Sequence, residues 1–60
     1  MKLYIVEYQE LDLDGKPIWT DGIWGWIGIA ASKEEAQELI EKDKEEILYR
    51  EYRIIEKEAE

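Results

Sequence analysis

Hydrophobic and polar positions along the chain follow first a strand rhythm, then a helical one, then a strand rhythm again. Residues 2–11, "KLYIVEYQEL", are dense in β-branched and aromatic side chains and hold neither Gly nor Pro, which predicts a strand. In "DLDGKP" the pair Asp14-Gly15 predicts a hairpin, because both residues tolerate the positive φ of a tight type I′ turn. Strand composition resumes in "IWTDGIWGWIGIAA". A break at Asp21-Gly22, as a bulge or a second turn, divides a short strand near 18–20 from a longer one at 23–30.

"SKEE" at 32–35 has capping-box form: Ser32 accepts from the Glu35 amide, and the Glu35 carboxylate reaches back to the Ser32 amide. A helix therefore starts at 33. Ala36, Leu39, Ile40 and Ile47 recur at helical spacing, with Lys33, Glu34, Glu38, Glu41, Lys42 and Glu45 on the solvent side. "LYREYRIIE" predicts a last strand over 48–56, and "KEAE" a frayed acidic end. The expected fold class is α+β, a single domain over residues 1–60. A small antiparallel β-sheet in the order β-β-α-β, or β-β-β-α-β if Asp21-Gly22 turns the chain, carries one helix packed on one face.

Strand alternation divides the long strand into Ile23, Gly25, Ile27 and Ile29 on one side and Trp24, Trp26, Gly28 and Ala30 on the other. Both sides are apolar. The first strand likewise sets Leu3 and Ile5 against Tyr4, Val6 and Tyr8, and the last sets Tyr52 and Ile54 against Arg53 and Ile55. One helix covers one face, so the other is expected to meet a protein, self or non-self. Tyr and Trp dominate binding hot spots, which makes Tyr4, Tyr8, Trp19, Trp24, Trp26 and Tyr52 the candidate contact residues. Trp24 and Trp26 share a face under either assignment. Gly25 and Gly28 are expected to give room to an aromatic side chain from a neighbouring strand.

Sixty residues fill only a small core. Cys and His are both absent, which removes disulfides, thiolate nucleophiles, the usual zinc sites and the commonest acid–base catalyst. A non-enzymatic protein with no cofactor and no metal is expected, and a chain without staples tends to gain burial as a homodimer. The net charge of −8 and pI near 4.4 argue against direct contact with nucleic acid or an anionic membrane. With no long apolar run and no charged leader before an apolar stretch, the expectation is a soluble, cytoplasmic protein.

Three constellations have an ordinary and a functional reading. Glu10, Asp12, Asp14, Gly15 and Asp21 fall at positions 1, 3, 5, 6 and 12 of a calcium-loop template, but strands flank them, and an acidic hairpin turn is favoured. Glu34, Glu38, Glu41 and Glu45 form an acidic helix face that either solubilises the chain or imitates the phosphate spacing of DNA. Arg50 and Arg53, among Tyr49, Glu51 and Tyr52, are expected to pair across strands.

Together, "KLYIVEY", "SKEEAQELIEK" and "YREYRIIE" resemble very small α+β proteins of bacteriophages that infect low-GC Gram-positive hosts. Some such proteins inhibit host defence systems by stoichiometric binding. The resemblance implies a host protein as partner and the host cytoplasm as location, and it assigns no residue a role. An acidic DNA mimic and a small-ligand module using the Trp pair stand beside that reading.

Overall fold

In the computed structural model of the chain, which describes residues 1–19 and 22–58, Lys2–Glu10 forms β1, Gly25–Ala30 β2, Lys33–Glu46 α1 and Arg50–Glu58 β3. The sheet order is β2-β1-β3, and both outer strands run antiparallel to β1. They are therefore parallel to each other, and α1 carries the chain across one face from the β2 edge to the β3 edge. The α+β class and the β-β-α-β order are those the pattern predicts. Thr20 and Asp21, on which the extra strand and second turn depend, lie outside the described residues. Beside them, Ile18 N–H donates to the Glu10 carbonyl at 2.8 Å, and Leu11 bridges to Pro17.

Local chemistry corrects several expectations. The hairpin is not type I′, since only Gly15 has positive φ, at 81°. Gly15 N–H donates to the Asp12 carbonyl at 3.0 Å and Asp12 N–H to the Lys16 carbonyl at 2.7 Å, the pattern of a type I turn followed by a left-handed glycine. Asp12 Oδ1 accepts from the amides of Asp14 and Lys16, each at 2.9 Å, which holds the turn. At the helix start, Ser32 Oγ accepts from Glu35 N–H at 3.2 Å, but the Glu35 carboxylate takes the Ala31 amide, at 3.4 Å, instead of that of Ser32. β3 begins at Arg50, later than expected, because Ile47 caps α1 and Tyr49, at φ 63°, turns the chain back to the sheet.

Val6, Ala30, Ala36 and Ile40 are buried, and Tyr4, Ile27, Leu39 and Tyr52 pack against them. The helical stripe thus supplies Ala36, Leu39 and Ile40, whereas Ile47 stands at the cap, partly exposed. A Cβ at Gly28 would lie 3.3 Å from Leu39 Cδ1, so this glycine admits the helix and not, as expected, an aromatic ring.

The pairing of β1 with β2 runs Tyr4 to Ala30, Ile5 to Ile29 and Val6 to Gly28, then jumps to Glu7 with Trp26 and Tyr8 with Gly25. Ile27 is the extra residue of a β-bulge, and a bulge reverses the alternation beyond it. Ala30, Gly28 and Gly25 therefore lie on the helix side, while Ile29 and Trp26 both point away. The two sets expected from strict alternation are broken at Ile27, which itself packs on the core.

Candidate functional site: the open sheet face

Residues directly opposite in an antiparallel pair share a face, so the register lays out the side away from α1 in rows. Ile29, Ile5 and Ile55 form one row across all three strands. The next is Trp26, Glu7 and Arg53, followed by Gln9 and Glu51, with Trp24 beyond Trp26 on the β2 side. Leu3 and Lys57 end the face at the other side of the isoleucine row. α1 lies on the opposite side of the sheet, and among the described residues of this face Gln9 alone is buried. Trp26 is 63% exposed, and Ile29 and Ile55 are exposed beside it.

Trp24 is half-buried and has a partner. The Arg53 guanidinium lies 4.3 Å from its ring centre, and Arg53 Nε donates to Glu7 Oε1 at 2.7 Å. Arg53 is thus held by a carboxylate across the strand and an indole face, which occupies the surface of Trp24 that an aromatic ligand would need.

On the helix side, a polar network ties the end of α1 to the sheet. Arg50 Nη1 donates to both Asp43 oxygens, at 3.1 and 3.0 Å, and Nη2 to Glu10 Oε1 at 3.1 Å. The guanidinium stacks 3.8 Å from the Tyr8 ring centre. Burial works against charge on Arg50, yet the bonds to Asp43 and Glu10 outweigh it and raise its pKa. The Tyr8 ring crosses the position a Gly25 Cβ would take, as expected, and packs on Trp19 with centroids 5.6 Å apart. Both arginines therefore pair across strands, Arg50 with Glu10 and Arg53 with Glu7.

Among the six aromatic candidates, the structure brings Trp24 and Trp26 together on the open face. Tyr4, Tyr8 and Tyr52 lie on the helix side, with Tyr4 donating to Glu56 Oε1 at 3.3 Å. Trp19 joins Tyr8. Glu34, Glu38, Glu41 and Glu45 are all exposed and make no ion pair among the described residues. The isoleucine row was not among the candidate contact residues. Its signal lay in the Leu3/Ile5 alternation, but only the register aligns Ile5 with Ile29 and Ile55.

An open groove of about 340 Å³ runs between β2 and α1, lined by Ile29, Ala30, Glu35, Glu38, Leu39 and Lys42. Among the described residues no group of carboxylates is arranged to hold a metal ion, and Asp21 of the calcium-like pattern lies outside them. No described helix is long and apolar enough to cross a membrane. The fold places the chain in the class of small α+β proteins with one helix on an antiparallel sheet. Comparison with family models, with curated proteins and with solved structures finds no match.

Proposed function

We propose that the chain is a non-enzymatic protein-binding module whose contact surface is the sheet face opposite α1. One observation carries the reading: the bulge at Ile27 gathers Trp24, Trp26 and Ile29 on the same uncovered face as Ile5 and Ile55. Exposed apolar surface of this kind marks interaction sites, and an accessible indole beside aliphatic side chains is hot-spot chemistry. The finer reading, taken from the phage resemblance, is a stoichiometric inhibitor of a host protein. Affinity capture from a host lysate with wild-type chain and Trp26→Ser tests the module. Trp26 contributes little to the core, so the variant keeps its far-ultraviolet circular dichroism and loses its bound protein; capture and self-association both at wild-type level in Trp26→Ser would reject the reading.

Acidic mimicry of DNA is the second reading. Its support is the outward row Glu34, Glu38, Glu41 and Glu45, exposed and free of ion pairs among the described residues. In that case binding resides on α1, weakens steeply with salt and survives Trp26→Ser.

A further inference from the structure

We infer that the occupant of the open sheet face is a second copy of this chain, packed sheet against sheet with the strands of the two copies antiparallel. The inference rests on the protein-binding reading and names its partner.

Charge points to self-pairing. The chain carries −8 overall, yet this face holds Glu7 and Glu51 against Arg53 and Lys57 and is neutral. A face without net charge is the one on which two strongly acidic copies approach at least electrostatic cost. Its charges are also ordered. Glu7 and Arg53 neutralise each other at the centre, while Glu51 stands at one end of β3 and Lys57 at the other, and neither makes an ion pair among the described residues.

A twofold axis lying in the interface and perpendicular to the strands, crossing β1 at Val6 and β3 at Ile54, exchanges those ends. Lys57 of each copy then meets Glu51 of the other. The same rotation lays each Trp26 over the other copy's Ile29, and the Arg53 stem over Ile55. An axis along the strands would instead set the β3 charges above the uncharged aromatic edge, leaving both unpaired.

Area suits a modest interface. Three strands about 4.8 Å apart, the longer two nine residues long, present a face on the order of 400 Å² with its side chains, at the low end of what one partner contributes and in keeping with a dimer of micromolar affinity. The product is a four-layer stack of helix, sheet, sheet and helix, with the sheets about 10 Å apart, a gap that Lys and Glu side chains span.

The test is sedimentation equilibrium of wild type, Glu51→Lys, Lys57→Glu and the double reversal. The cross-strand neighbours of these residues, Gln9 and Leu3, are uncharged, so reversal breaks no pair within the chain. The wild type is expected to dimerise at micromolar concentration, each single reversal to raise the dissociation constant at least fivefold, and the double reversal to restore it. Glu51→Lys is the sharper of the two, since it lowers the net charge and would tighten any dimer governed by overall repulsion. A wild type monomeric at every concentration overturns the inference, as does a dimer indifferent to the single reversals or not restored by the double. In the first case, loss of a captured protein on Trp26→Ser would leave the protein-binding reading standing; failure of that variant to change capture would remove it separately.

Discussion

The phenolic hydroxyl of Tyr52 donates to Asp43 Oδ2 at 2.5 Å, joining β3 to the last turns of α1. Asp43 accepts from Arg50 as well, and Ile47 N–H caps the helix on the Asp43 carbonyl at 2.9 Å. One aspartate thus anchors the helix end to the sheet through its side chain and closes the helix through its backbone.

Tyr52→Phe removes that donor and is expected to cost about 0.5–1.5 kcal/mol, read from urea unfolding. The pKa of Tyr52 is pushed up to about 12, by burial first and then by the bond to Asp43. A tyrosine in the unfolded chain titrates near ~10. Above that pH the unfolded chain releases a proton that the folded chain keeps, so this contribution is complete below pH ~10 and is lost as pH rises through about 12. The wild-type urea midpoint should fall faster over that window than that of Tyr52→Phe. Parallel curves would show that the bond does not couple to folding.

Gly25→Ala places a methyl group where the Tyr8 ring lies, and that ring is pinned by Arg50 and Trp19. The expected loss is about 1–3 kcal/mol. In a Tyr8→Ala background the same substitution should cost far less, and the coupling is read from a double-mutant cycle. Equal costs in the two backgrounds would mean that the ring is free to move aside.

Tyr49 holds φ at 63°, a region that costs a β-carbon-bearing residue energy and glycine almost none. Its side chain is exposed, so Tyr49→Gly removes strain without opening the core. A gain of about 0.5–1 kcal/mol in the urea midpoint analysis is expected, and Tyr49→Ala should show no such gain.

Two copies each carrying −8 repel at a distance, on the order of several kcal/mol at low ionic strength and far less at physiological salt. The exposed Lys57–Glu51 pairs across the twofold are worth about 0–1 kcal/mol each. At low ionic strength repulsion is the larger effect, so raising salt to the physiological level should tighten the self-paired form in sedimentation, and the charge reversals are read at that salt, where the overall repulsion is screened. A complex held by the acidic row of α1 on a basic partner responds in the opposite direction, which separates the two modes in one titration.

Much of the fold is legible in the amino-acid sequence alone. The strand at β1, the Ser32 cap and the Ala36–Leu39–Ile40 stripe are local signals, carried by residues within a turn or two of each other, and each appears where the pattern places it. Cross-strand pairing of the two arginines was also foreseeable from charge alone. The grouping of Trp24 with Trp26 follows from strand alternation, because no irregularity falls between them. What the chain's order could not determine is which side they share, and with whom. That depends on Ile27, where a bulge caused by tertiary pairing reverses the alternation and sends Ile29 to the tryptophan side. The bulge reconciles two demands: Gly28 must admit Leu39 of the helix, and Gly25 must admit the Tyr8 ring, and these glycines, three residues apart, can face the same side only if one residue between them is left out of the ladder. Composition and spacing therefore determined the elements and the Ser32 cap. The packing of the helix at Gly28 and of the Tyr8 ring at Gly25 decided which face stays open.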